Sequence, residues 1–246
     1  MPGLLVSVLF GFIAQTIDGA LGMAYGVSCT TFLLTFGITP AVATTSVKVS
    51  EIFTTAVSGL SHLRFGNVDR KLFLKLCVPG VTGGIIGAFI LSQVPGERIK
   101  PFVSAYLLIM GGIILARAFR KTAAFAKLQD RAVPLGFIGG LLDGIGGGGW
   151  GPVVTTNLIA RGREPHLAIG SVNLAEFFVT GAQAITLTSL VGLQHKEVVL
   201  GLIIGGVVAA PLAAYLCKKI PTKTLLVLVG SLIILLSLRN LFAALR

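Results

Sequence analysis

The chain has 246 residues, of which 54% are hydrophobic and only 12% charged, and its mean hydropathy is +0.92. Soluble domains carry about 25% charged residues, so this composition excludes a soluble enzyme and implies an all-α polytopic membrane protein. A net charge of +11 would suggest nucleic acid in a soluble chain. Here the Lys and Arg residues sit almost entirely between apolar runs, where they orient membrane segments and meet anionic lipid. One Trp and three Tyr supply no base-stacking surface, so no nucleic-acid partner is expected.

The first apolar segment, Leu4 to Ile17, follows no basic stretch and reads as a retained helix rather than a cleaved targeting peptide. It reaches a Gly-rich break, Asp18-Gly-Ala-Leu-Gly-Met-Ala-Tyr-Gly26, and resumes over 27–36. Helices are then expected near 40–61, 72–94 and 101–119. The order repeats. A segment over 132–142 meets the break Asp143-Gly-Ile-Gly-Gly-Gly-Gly-Trp-Gly151 and resumes over 152–160, with helices near 166–191, 197–217 and 222–244. His62, His166 and His195 fall near segment ends and read as solvated. Cys29, Cys77 and Cys217 stand alone in apolar runs and read as packing residues, not metal ligands or disulfide partners.

The repetition is a duplication. Shifted by 125 residues, Gly11–Thr55 aligns with Gly136–Thr180 without a gap and with 18 identities in 45 positions. The expected organisation is a first transmembrane repeat over 1–121, a basic cytoplasmic linker over 122–130 and a second repeat over 131–246, each a broken Gly-rich helix plus three transmembrane helices. Residues 3–36 as one helix would run about 50 Å, beyond a hydrocarbon core of about 30 Å, so the broken pair is expected to be re-entrant. Each repeat then crosses three times and the second is inverted. That topology places 14 basic residues on one face and five on the other, against 12 and seven for eight plain spans, and the positive-inside rule favours it. The chain is thus expected in a bacterial or archaeal inner membrane.

Non-helical backbone at membrane depth needs protein or a water-filled cavity to satisfy it, so the two breaks mark a central site. Half-helices beginning near Val27 and Pro152 aim backbone amides at an anion. The expected binding groups there are Gly22, Gly26, Thr30 and Thr31 in the first repeat, with Gly147, Gly148, Gly149, Gly151, Thr155 and Thr156 in the second. The competing reading is that these glycines serve close helix packing. A second constellation is Ser46-Val-Lys48-Val-Ser50-Glu51 against Ser171-Val-Asn173-Leu-Ala175-Glu176, ionisable groups inside apolar helices. Ser46, Lys48, Ser171 and Asn173 are candidate binding residues. Glu51 and Glu176, with Asp18 and Asp143 before the breaks, are candidate proton carriers, and either Asp serves equally well as a cap on neighbouring amides. Lys48 and Glu51, three apart, can also simply neutralise each other.

Together these features resemble the sulfite exporter TauE/SafE family of membrane permeases over essentially the full chain. The features that carry the resemblance are Gly144 to Pro152 with Thr155 and Thr156, and the Pro-x-x-Ala helix starts at Pro40 to Ala43 and Pro165 to Ala168. The Gly170-Ser171 step and Arg64-Phe-Gly66-Asn-Val-Asp69 add to it. The first break departs from the Gly run, with Leu21, Met23 and Ala24 opposite Gly146, Gly148 and Gly149. The resemblance implies secondary, proton-coupled transport of a small sulfur-containing anion, with no cofactor. The rival classes are a passive anion channel, a carrier of another small ion and an intramembrane enzyme. No Ser/His or Cys/His constellation supports the last of these, and oligomeric state is not legible.

Overall fold

The computed structural model describes residues 2–119, 131–161, 163–216 and 222–244. Its elements are α1 (Leu4–Leu21), α2 (Tyr25–Thr35), α3 (Pro40–Arg64), α4 (Arg70–Gln93), α5 (Gly96–Phe119) and α6 (Ala132–Gly146). A π-turn, Gly151–Thr155, runs into α7 (Thr156–Ala160), and α8 (Pro165–Val191), α9 (Lys196–Leu216) and α10 (Thr222–Ala244) follow. Among the described residues there is no strand. The linker expected at 122–130 lies outside them.

Six helices, α1, α4, α5, α8, α9 and α10, are long and apolar enough to cross a membrane, and α6 is a shorter apolar helix. Their outward faces expose side chains such as Leu5, Val78, Phe102, Ile185 and Phe242, as a lipid-facing surface requires. Helix α3 is equally long yet too polar to join that set. Its Thr44, Thr45, Ser46, Lys48, Ser50, Glu51, Thr54, Thr55 and Ser58 are all buried, so the fold turns them inward against α8, α9 and α2. It is the polar spine of the molecule.

Glycine lets the helices approach this closely. On α6, Gly136, Gly140 and Gly144 recur every four residues and lie against α4: a Cβ on Gly140 would collide with the Gly80 carbonyl, and one on Gly144 with the backbone of Gly84 and Ala88. The α1–α9 pair is built the same way, Gly201 and Gly205 meeting the Leu4 and Val8 carbonyls and Gly11 meeting Leu202. Such backbone contact is how helices associate where lipid removes the hydrophobic drive between them. The pairings are reciprocal: α1 packs on α9 and α6 on α4, α3 on α9 and α8 on α4, α3 on α8 and α5 on α10.

Chain direction follows from the contacts. Along α3 and α8 the neighbours are Asn67 with Gly170, Ser58 with Asn173 and Glu51 with Thr180, an antiparallel sequence. Gly111 meets Ile233 while Gly230 meets Leu115, so α5 and α10 are antiparallel too. By contrast α4 runs parallel to α6 and α8, and α9 parallel to α1 and α3. At one end of the molecule Arg163 pairs with Asp69 at 3.5 Å; Gly96 approaches Thr39 in another pair of adjoining loops.

Both broken helices fold back on themselves. Phe10 and Phe32 stack with ring centroids 4.0 Å apart, and Gly139 of α6 lies against Val154 and Trp150 beyond the second break. The breaks are tighter than the sequence suggests: helix continues through Asp18 to Leu21 and through Asp143 to Gly146, leaving only residues 22–24 and 147–149 non-helical. Gly22 and Gly147 reverse the chain at φ 66° and 71°, each amide donating back to the carbonyl of Asp18 or Asp143. The helix is therefore closed by a left-handed glycine four residues past an Asp, later than the Asp itself would suggest.

Gly140→Val should lower the unfolding temperature in detergent sharply, because overpacking against the Gly80 backbone costs about 1–3 kcal/mol or more. Gly112→Val, at a position with open space around its Cβ, should unfold close to wild type in the same differential scanning measurement.

Candidate functional site

The two breaks cross backbone to backbone. Thr30 Oγ1 donates to the Gly147 carbonyl at 2.5 Å and Thr155 Oγ1 to the Gly22 carbonyl at 2.7 Å. Each repeat thus caps the other's break through the equivalent threonine. Gly26 lies against Gly148, and Gly151 against Met23 and the Gly22 carbonyl. In this arrangement the glycines Gly22, Gly26, Gly147, Gly148 and Gly151 serve the close packing of one break on the other. Gly149, at the position of Ala24, receives the Tyr106 hydroxyl from α5. Ala24 itself holds φ 99°, a conformation glycine adopts freely and alanine does not.

The helix-terminal amides that the sequence reading offers to an anion are engaged by the protein's own acids. Tyr25 N donates to Asp18 Oδ1 and Trp150 N to Asp143 Oδ1, both at 3.3 Å. The helical restarts also lie slightly earlier than Val27 and Pro152, at Tyr25 and Gly151. Pro152 has no N–H to give to the first turn, and the second restart is a π-turn there. Asp18 and Asp143 are therefore caps, one of the two roles foreseen for them.

Asp143 does more. Lys48 Nζ, fully buried on α3, donates to Glu51 Oε2 at 2.6 Å and, across the repeats, to Asp143 Oδ2 at 2.7 Å. Glu176 of α8 and Asp18 of α1 lie close enough to interact electrostatically with this trio. One ammonium and four carboxyl groups, each no more than 4% exposed, make up the charged centre. Asp18 Oδ2, Glu51 Oε1 and Glu176 Oε2 have no hydrogen-bond partner. The Lys48–Glu51 pair anticipated from spacing exists, but Asp143 turns it into a tie between the repeats.

Other expected binding residues are used structurally. Ser171 Oγ accepts from Asp69 N at 2.8 Å and fixes the α3–α4 loop, while Asn173 accepts from Ser58 Oγ at 2.8 Å and joins α8 to α3. Ser46 Oγ returns its hydrogen bond to the Val42 carbonyl. Thr31 and Thr156 remain buried or half-buried with unpartnered hydroxyls, and Asn240 of α10 donates to the Thr31 carbonyl. His62 is a correction: it is fully buried, one ring nitrogen 2.9 Å from the Gly19 carbonyl and the other 3.2 Å from Asn67 Nδ2. Its position one turn from the helix end hid the fact that this end of α3 is covered by α1.

Two groups at the centre escape a reading of repeats and motifs. Tyr106, whose hydroxyl has no partner, stacks its ring on Gly146 and Gly149. Arg117 donates to Met23 Sδ at 3.2 Å. The signal in each case was a polar tip within an apolar helix, at positions outside the aligned block. Among the described residues no group of His, Cys, Asp and Glu side chains is arranged to hold a metal ion.

Helices with apolar outer faces, enclosing a charged centre where two broken helices cross, define a multi-pass membrane protein. The family profile described as sulfite exporter TauE/SafE matches residues 7–240, and the chain belongs to that family. It is 44% identical to the probable membrane transporter protein YtnM of Bacillus subtilis (strain 168), over 98% of this chain and 83% of the relative. The probable membrane transporter protein YdhB of the same organism is 27% identical over 63% of each chain. The probable membrane transporter protein ORF9 of Sinorhizobium sp is 29% identical over 74% of this chain and 66% of its own. No solved structure matches. The family and these relatives make the chain a membrane transporter.

Lys48→Met leaves two buried carboxyl groups without their cation, a loss of about 3–5 kcal/mol. Its unfolding temperature should fall well below wild type, and adding Glu51→Gln and Asp143→Asn to the same chain should recover most of the loss. A triple variant no more stable than Lys48→Met would contradict the assigned electrostatics.

Proposed function

We propose that the protein is a secondary transporter of small sulfur-containing anions, such as sulfite or organosulfonates, coupled to protons and working by alternating access of two inverted repeats about the crossing of their breaks. The observation that carries this reading is the Lys48 ammonium between the breaks, bonded to one carboxylate of each repeat. A buried cation beside helix-terminal amides is what an oxyanion needs. The surrounding Asp18, Glu51, Asp143 and Glu176 offer places for a proton, since four ionised carboxylates against one ammonium would leave a large net charge away from water.

Inversion is supported by the antiparallel α3–α8 and α5–α10 pairs and by the Asp69–Arg163 contact. With eight plain spans the loops of Asp69 and Arg163 would lie on opposite faces; with re-entrant, inverted repeats they share one. The domain reading that goes with it, 1–121 and 131–246 about a cytoplasmic linker, remains part of the proposal. Repeats tied at one charged centre can rock against each other about it.

One observation favours a second reading, a carrier of another small ion: the carboxyl oxygens without partners outnumber the buried ammonium. The passive-channel alternative has no comparable feature to recommend it, because the breaks are in van der Waals contact.

Purified protein in liposomes should take up radiolabelled sulfite saturably, faster with an imposed proton gradient, and Lys48→Gln should abolish that uptake. Cation flux that survives Lys48→Gln, with no sulfite uptake by wild type, would select the second reading. Single cysteines at Lys71 and Glu164 should be labelled by an impermeant maleimide from one face of the membrane, and those at Arg98 and Lys196 from the other. Opposite accessibility of positions 71 and 164 would refute inversion.

A further inference from the structure

Resting on the anion reading above, we infer that the Asp143 carboxylate occupies the substrate's own place, so that an anion binds only by displacing it and a proton is taken up in the same step. Asp143 is held as a bound oxyanion would be. One oxygen accepts from the Lys48 ammonium at 2.7 Å and the other from the Trp150 backbone amide at 3.3 Å, where the second broken helix resumes. The Tyr106 hydroxyl, without a partner, lies against Gly149 beside them. Ammonium, backbone amide and phenol are three donors converging on one small volume.

Glu51 does not fit the same description. It reaches Lys48 from the same helix, three residues on, and beyond Lys48 it has near it only the neutral Thr180 hydroxyl of α8. Displacing Glu51 would free one donor within one repeat, whereas displacing Asp143 frees two and unties the repeats.

The charge count fixes the sense of coupling. Lys48, Glu51 and Asp143 carry a net charge of −1 when all are ionised. The groups facing Asp143 are Lys48 and Glu51 from α3, Asp18 from α1, Glu176 from α8 and Tyr106 from α5, so Lys48 is the one cation among them. A singly charged anion that takes Asp143's place on Lys48 leaves the trio at −1 only if the displaced carboxylate accepts a proton from the water on the open side. No covalent bond is made: one carboxylate–ammonium contact is exchanged for an anion–ammonium contact, and one proton moves from solvent to Asp143. Anion and proton therefore enter and leave together, in symport. Because the Lys48–Asp143 contact joins the repeats, the same exchange releases one repeat from the other.

The test is isothermal titration of detergent-purified protein with methanesulfonate and with sulfate, whose charges do not change near neutrality, in two buffers of different ionisation enthalpy. Wild type should take up one proton per methanesulfonate, and wherever a whole proton is taken up its affinity should fall about tenfold per pH unit. Asp143→Asn, which holds the site in its protonated form, should bind more tightly, take up no proton and lose the pH dependence. Binding by wild type without proton uptake, or equal uptake by Asp143→Asn, would overturn the exchange while leaving an anion carrier in place. Binding of neither probe by either protein would overturn the exchange together with the reading it rests on.

Discussion

A lysine ammonium removed from water must be compensated, and the way Lys48 is compensated governs the rest of the molecule. Its two carboxylate partners come from different repeats, so the charge can be satisfied only if the second broken helix ends where α3 of the first repeat passes. That demand brings the breaks together and leaves no space for side chains between them. Glycine at Gly26, Gly148 and Gly151 follows from it, as does the exchange of threonine hydroxyls between Thr30 and Thr155. A break in lipid would leave carbonyls and amides unpaired; here each break's carbonyl is partnered by a threonine of the other and its amide by its own Asp.

The outer helices answer a different need. Lipid tails are as apolar as leucine, so burying Leu against Leu gains little and close backbone contact takes over. The glycine ladders of α4–α6 and α1–α9 provide it in equivalent helix pairs, though largely from different positions along them. Polar residues collect on the side of α3 that packs against α8, α9 and α2, while Phe53, Leu60 and Leu63 face outward. Its serine and threonine hydroxyls mostly bond back along their own helix, as Ser46, Thr45 and Ser61 do, so they fill the interior without adding charge.

The all-helical membrane class, the helix order and the paired breaks were legible in the sequence because each rests on a local signal: apolar length, glycine clustering, an internal repeat. The Lys48–Glu51 pair was legible from i, i+3 spacing. What spacing along one helix cannot carry is contact across repeats, so the Lys48–Asp143 bond had no signature. The same limit applies to Ser171 and Asn173, whose alignment with Ser46 and Lys48 suggested a shared site; they instead fasten α8 to the α3–α4 loop and to α3. The break boundaries were set too wide at Asp18 and Asp143 because a helix closed by a left-handed glycine extends to that glycine, and a run of glycines conceals which one reverses the chain. His62 was misjudged for a related reason, since proximity to a helix end says nothing about what covers that end.

A duplicated scaffold with an unduplicated centre is the feature that ties structure to transport. Gly22 and Gly147, Thr30 and Thr155, Asp18 and Asp143 occupy equivalent positions and make equivalent bonds to backbone groups, and Asp143 alone adds the bond to Lys48. Lys48 faces Asn173 in the alignment, Ala24 faces Gly149 and Tyr25 faces Trp150, and these differences all fall at the crossing. Two symmetric lysines would bring a second buried cation to the same place and repel the first; two symmetric asparagines would leave the carboxylates without any. One cation shared between the halves lets a single contact hold both repeats, and lets the loss of that contact be felt by both. In the alternating access proposed above, the duplicated scaffold would supply the two packings and the one shared charge would decide between them.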